Sequence, residues 1–215
     1  VFDLPIINVM AKTENFEIDF ILESVKPFVL QGDGGLSQKG KQPGNASYYY
    51  SYTRLKTKGK IILERKEFSV NGFSWMDREW STSALSEDQA GWDWFGLQLD
   101  DNTEIMYYQM RKKDGSSDVL SKGVFVDETG SSQLIKKDDV VLEVTDYWES
   151  PDREKYPSGW NLQIPSKEID LKITPTVKSQ LMDVAVRYWE GSVKIEGTKN
   201  GNAINGRGYV ELTGY

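Results

Sequence analysis

The chain has 215 residues, a formal net charge of −7 and 38% hydrophobic residues, enough length for one large β domain or one domain and part of another. It contains neither cysteine nor histidine, which removes disulfides, thiolate and imidazole metal sites, thiol nucleophiles and Ser-His-Asp machinery, and nothing in the residue set calls for a cofactor. Scattered lysines on an acidic background repel a phosphate backbone, so nucleic acid is not an expected partner, and no apolar run nears the roughly 18 residues of a membrane span.

The chain opens on Val1 and not Met, which reads as a processed end or a fragment boundary. Phe16, Ile18, Phe20 and Leu22 alternate with Glu17, Asp19 and Glu23, the period of a strand with one buried face. That apolar face needs a partner sheet, from an N-terminal segment outside the chain or from another chain. Residues 31–46 turn to Gly, Ser, Lys, Gln and Pro (Gly32, Gly34, Gly35, Pro43), so a seam is expected there between residues 1–45 and a domain at 46–215. Residues 48–55 and 60–70 read as strands, broken by Gly59 and ended by Asn71-Gly72. Residues 94–99 and 104–111 flank Asp100-Asp101-Asn102-Thr103, which is hairpin chemistry; the ligand spacing of an EF-hand loop is absent. Further strands are expected at 123–126, 140–146, 160–164, 169–174, 184–189, 192–196 and 208–213, with Gly, Pro, Asn and Ser between them. No helical period is sustained, and this spacing of short strands predicts an all-β barrel or sandwich.

The stretch 72–96 carries four of the seven tryptophans, Trp75, Trp80, Trp92 and Trp94, among Asp77, Arg78, Glu79 and Asp93. Charges set among apolar residues must be paired or reach water. Alternation puts Asp93, Phe95, Leu97 and Leu99 on one face of their strand and Trp92, Trp94, Gly96 and Gln98 on the other. Likewise Trp75, Asp77 and Glu79 share a face, opposite Met76, Arg78 and Trp80. The sequence leaves open which face is inside. In one reading Asp77, Glu79 and Asp93 converge in a pocket where burial and neighbouring charge separate their proton affinities into an acid and a base. In the other, Arg78 bridges a carboxylate and the tryptophans are core.

A second cluster, Arg187-Tyr188-Trp189-Glu190-Gly191 with Trp148, Tyr156 and Trp160, supplies rings beside carboxylates that stack on a sugar, line a pocket or fill a core. Tyr107 and Tyr108 fall on opposite faces, so at most one lines an interior. Glu211, in the closing strand, reads as a rim or surface charge.

Taken together, Ser74-Trp-Met-Asp-Arg-Glu-Trp-Ser81, Gly91-Trp-Asp-Trp-Phe95, Trp148-Glu-Ser-Pro151, Tyr156-Pro, Tyr188-Trp-Glu-Gly191 and the terminal Gly-Tyr-Val-Glu-Leu-Thr-Gly-Tyr resemble the AttH/CrtC-like group. That group is related to carotenoid 1,2-hydratase and is often labelled predicted secreted hydrolases. The resemblance implies lipocalin-like (calycin) antiparallel barrels, the C-terminal one complete here and the N-terminal one partial. It also implies an apolar pocket for an isoprenoid or lipid-like small molecule, and a periplasmic or secreted location. Hydratases of the group add water across an isolated alkene with a histidine in or near the segment matching 75–80. Here there is none, and Asp77 matches the aspartate of that segment. The expected catalytic set is Asp77, Glu79, Asp93 and Arg78; the expected ligand-binding set is Trp75, Trp80, Trp92, Trp94, Tyr107, Trp148, Tyr188, Trp189 and Glu190. Three readings follow: a lipocalin-like binder that also transforms its ligand, with a cavity inside a closed barrel; a hydratase or hydrolase acting through Asp77, Glu79 and Asp93; and a carbohydrate-binding β-sandwich with an exposed tryptophan platform.

Overall fold

Almost every element of the computed structural model, which describes residues 4–42, 44–81, 85–184 and 186–215, is a β-strand. The first sheet holds β1 (Ile6–Lys12), β2 (Phe16–Ser24), β3 (Val29–Leu30), β4 (Leu36–Gln38), β5 (Ala46–Leu63) and β6 (Lys66–Ser81). The long β5 is its spine, with β2, β3 and β4 paired in succession along one edge and β6 along the other. β1 adds outside β2.

The second sheet holds β7 (Gln89–Leu99), β8 (Glu104–Lys112), β9 (Lys122–Val126), β10 (Ser132–Lys136), β11 (Val141–Glu149), β12 (Lys155–Ile164), β13 (Ile169–Pro175), β14 (Leu181–Asp183), β15 (Arg187–Lys199) and β16 (Asn202–Thr213). Its order is β10-β9-β8-β7-β16-β15-β13-β12-β11, with β14 on β15, and every pairing is antiparallel. A 3-10 turn at Lys137–Asp139 joins β10 to β11, the two ends of that order, so the sheet curls on itself in the lipocalin-like manner expected.

Side chains fill the hollow of the curl. Phe95, Leu97, Leu99, Tyr107, Leu162, Leu171 and Leu212 surround Trp160 and Trp189, whose rings meet at 6.0 Å. The opposite face of β7, β8 and β9 packs on the first sheet through Val29, Tyr49, Met106, Tyr108, Met110, Val124 and Val126. One buried ion cluster fixes the two sheets to each other: Glu104 takes Lys26 Nζ at 2.8 Å and Arg54 Nε at 2.5 Å, and Arg54 also donates to the Leu99 carbonyl.

Three expectations are corrected here. Gly59 does not break a strand; β5 runs through it, because a Cβ there would meet the Asp19 carbonyl at 2.0 Å and glycine lets β2 approach. The hairpin turns instead at Glu64-Arg65, both at positive φ, and β6 runs through Asn71-Gly72. The seam expected at 45–46 falls inside the first sheet, since β3 and β4 pair with β5; sheet membership changes between Ser81 and Gln89. Ala185 of the strand expected at 184–189, and Pro43 of the expected linker, lie outside the described residues.

The alternation at 16–23 does produce a two-faced sheet. Register sets Ile18 beside Ile61 and Phe16 beside Leu63, with Phe68 next to Ile61, while Asp19 opposes Lys60 and Glu23 opposes Lys56 on the other face. Toward the hairpin tips the apolar face stays open among the described residues: Phe16 is 38% exposed, Phe68 48% and Leu63 50%.

Candidate functional site

A bulge in β5 between Tyr52 and Leu55 organises the site. Ahead of it, Tyr49 and Ser51 share a face with Trp75, Asp77 and Glu79 of β6, and that face turns toward the second sheet. There the outward side chains of β7 and β16 meet it: Trp92, Trp94, Gly96 and Gln98, with Tyr209 and Glu211 in register beside Gly96 and Trp94. The two walls enclose a cleft of about 1010 Å³.

Asp77 stands at the centre of the first wall. Its Oδ2 accepts the Tyr49 hydroxyl at 2.6 Å, and its Oδ1 accepts the Ser51 hydroxyl at 2.6 Å and the Trp75 indole N–H at 2.7 Å. All three donors are neutral. Burial raises its carboxyl above the ordinary range, those donors pull it back, and the charge of Glu79 pushes it up again. Burial and the Asp77 charge together push the Tyr49 phenol well above its ordinary value, so Tyr49 stays a donor.

Glu79 is neutralised by Lys39 at 2.9 Å, whose ammonium also lies 4.1 Å from the centre of the Tyr108 ring. Across the cleft, Glu211 accepts the Trp92 indole N–H at 2.6 Å. Burial raises its carboxyl; Trp92 opposes that, and the negative charges of Glu190, Asp77 and Glu79 add to it. Two carboxyls with raised proton affinity thus stand on facing walls lined by indole rings.

Gly96 shapes the floor. A Cβ there would lie 2.4 Å from the Trp94 ring, so only glycine lets that indole lie against the strand, where it meets Trp75 edge-on at 5.9 Å. Trp94 Nε1 also donates to the Tyr49 hydroxyl at 3.1 Å, tying the second sheet to the donor that holds Asp77.

Of the residues singled out from sequence, Asp77, Glu79, Trp75, Trp92 and Trp94 line this cleft. Others do not. Asp93 points into the second sheet's interior, 2% exposed, where Arg111 Nε and the Tyr215 hydroxyl each reach it at 2.9 Å. Burial raises its carboxyl against the pull of Arg111, and the group belongs to a structural ion pair. Arg78 and Trp80 lie on the opposite face of β6, Trp80 against Tyr48 with ring centres 5.9 Å apart, so Arg78 bridges none of the three acids. Tyr107 and Trp189 are buried in the filled curl, and Trp148 packs on it beside Tyr156. Tyr188 lies 6.4 Å from Trp92, ring to ring, and Glu190 accepts the Tyr209 hydroxyl at 2.9 Å; neither lines the cleft. No described set of acidic side chains has the geometry of a metal site.

The hollow therefore lies between the sheets and not inside a barrel. Trp160 and Trp189 occupy the barrel interior, and local alternation does not distinguish them from the tryptophans of the cleft. Tyr49, Tyr108, Lys39 and Glu211 were missed as site residues. Alternation from Asp77 through the β5–β6 pairing finds Tyr49 only once the bulge and the hairpin turn are known.

The AttH-like family model matches residues 5–215. A solved AttH-type structure from Nitrosomonas europaea is similar at 35% identity and a TM-score of 0.87, over 97% of this chain and 65% of that one. Kievitone hydratase from Nectria haematococca superposes at 18% identity and a TM-score of 0.80, over 98% of this chain and 65% of that one, a likeness of fold. The dehydratase asqC of Emericella nidulans is 20% identical over 215 residues, 95% of this chain and 60% of that protein. The chain thus spans 60–65% of the length of each of these relatives.

Proposed function

The chain belongs to the AttH-like family, and from that membership and its cleft we propose that it takes up a largely apolar small molecule, of isoprenoid or similar type, and adds water to it or removes water from it. The observation that carries this is Asp77: a carboxyl that opens onto the cleft, held by three neutral donors and facing a second carboxyl, Glu211. A carboxylate placed only to balance charge would have a cation beside it, as Glu79 has Lys39 and Asp93 has Arg111.

The roles follow from the partners. Both carboxyls are raised by burial; three donors oppose this at Asp77, whereas Glu211 receives one donor and feels three other carboxylates, and on that difference in partners we assign the proton to Glu211 and the ionised form to Asp77. In hydration, Glu211 delivers a proton to one carbon of a double bond, water attacks the other carbon, and Asp77 takes the proton that water loses. Dehydration runs the same steps backwards: protonated Asp77 gives its proton to the departing hydroxyl, which leaves as water, and ionised Glu211 takes the proton from the neighbouring carbon. Positive charge developing on carbon is stabilised by the faces of Trp75, Trp92 and Trp94. The named relatives include a hydratase and a dehydratase, which are the two directions of one chemistry.

Asp77→Asn and Glu211→Gln test this on a panel of hydroxylated and unsaturated isoprenoids. Each should lower turnover by about 100-fold or more while leaving affinity within a few-fold. Turnover that survives both substitutions rejects the assignment, and a parent chain that binds the panel without turning any of it over is a binding protein.

A further inference from the structure

The loop that reads as a linker in the sequence is a tight turn that seats one buried side chain against the site. Gln31 follows β3; its N–H donates to the Tyr49 carbonyl at 3.0 Å and its carbonyl accepts the Gly35 N–H at 3.1 Å. Gly32, at φ +67, makes the turn possible, since a Cβ there would meet the Leu36 carbonyl at 2.4 Å. The Gln31 side chain is thereby driven beneath β5. Its Nε2 lies 2.9 Å from Ser51 Oγ, which lies 2.6 Å from Asp77 Oδ1.

The direction of these bonds is fixed. An ionised carboxylate only accepts, so the one Ser51 proton goes to Asp77, and the Ser51 oxygen must then accept from the Gln31 amide N–H. Gln31 and Ser51 are both fully buried, so bulk water does not take over either role. Gln31 Oε1 finds no partner among the described residues, a cost the fold bears while the N–H faces Ser51.

We infer that Gln31 is a positioning residue for Asp77, acting through Ser51: its amide holds the serine hydroxyl as a committed donor to one carboxylate oxygen. The catalytic consequence rests on the hydration reading above; the hydrogen-bond relation does not. The other charged or titratable groups facing Asp77 are Tyr49 on β5, Glu79 on β6 with its partner Lys39, and Glu211 on β16, and none of their side chains hydrogen-bonds to the Gln31 side chain.

The test is a pH titration of the full chain labelled with 15N-tryptophan, following the Trp75 indole N–H, which donates to Asp77 Oδ1 at 2.7 Å. Ser51→Ala removes a donor to the carboxylate and should raise the midpoint. Gln31→Met should raise it by a smaller amount, on the order of half a unit, because Ser51 is no longer committed. In the double variant the Gln31 substitution should add nothing. Gln31→Asn, one methylene too short to reach Ser51, should repeat the effect, and the other indole resonances show that each variant is folded. An unchanged midpoint in Gln31→Met and Gln31→Asn, or a shift that persists in full when Ser51 is absent, overturns the inference. No substrate enters the titration, so its failure leaves the hydration reading standing, and a loss of that reading leaves the titration unaffected.

Discussion

The Tyr49 hydroxyl lies 2.6 Å from Asp77 Oδ2 and receives the Trp94 indole N–H at 3.1 Å, so one hydroxyl links the carboxylate on the first sheet to an indole of the second. Tyr49→Phe deletes the bridge and leaves the ring. The lost donor favoured ionised Asp77, so the Asp77 midpoint should rise when followed by carboxyl 13C NMR. Stability should fall by about 1 kcal/mol in urea denaturation. A midpoint that stays in place would show that Tyr49 is not a donor to the ionised group.

The pH dependence of stability has a definite sign. Asp77 and Glu211, like Asp93, bind protons more tightly folded than unfolded. The stability they contribute is complete below the ordinary carboxylate range and is lost as pH rises through their raised values. Asp101, Asp127 and Asp152, held low by hydrogen bonds, act with the opposite sign: their contribution is present above the ordinary carboxylate range and is lost as pH falls through their depressed values. Comparison with Asp77→Asn cancels the groups that do not feel Asp77, and the part of the Glu211 shift that Asp77 causes has the same sign as the Asp77 contribution. As pH rises from the ordinary carboxylate range through the raised Asp77 value, the parent should lose stability relative to the variant in urea denaturation. A pH-independent difference contradicts the raised Asp77.

Gly96→Ala places a methyl carbon where the Trp94 ring now lies. The indole must tilt into the cleft, which loosens its contact with Trp75 and its bond to Tyr49. The expected cost is about 1–3 kcal/mol of stability, with weakened ligand binding out of proportion to it. Thermal melts and binding isotherms measured on the same preparation separate the two effects, and binding equal to that of the parent contradicts the placement of Trp94.

The fold class and the facing of single strands were legible because period-two alternation is a local property. It placed Asp93 with Phe95 and Leu97, and Trp92 with Trp94, as the structure has them. What it does not carry is which face meets which sheet, and that is why Asp93 and Asp77 looked alike. One is spent on Arg111 in the core and the other stands on a cleft wall. Glu211 looked like a rim charge because Trp92, its partner, is 119 residues away in the chain. The Glu64-Arg65 turn has positive φ at both positions with neither glycine nor asparagine, so nothing in composition announced it.

The open face around Phe16, Leu63 and Phe68 is a further consequence of alternation. An apolar sheet face without cover binds apolar dyes. The native chain should enhance anilinonaphthalene sulfonate emission, and Leu63→Ser with Phe68→Ser should remove most of that enhancement at an unchanged urea midpoint. We propose that further β-strands, supplied by a longer form of the protein or by a partner, cover this face. Unenhanced emission from the native chain contradicts an open face.

The central claim is that the ligand enters the cleft between the sheets beside Asp77, and 19F NMR of the chain carrying 5-fluorotryptophan reads it directly. On addition of polyenes or hydroxylated isoprenoids, the resonances of Trp75, Trp92 and Trp94 should move while those of Trp160 and Trp189 stay in place. Movement confined to Trp160 and Trp189 would put the ligand inside the curled sheet and contradict the account.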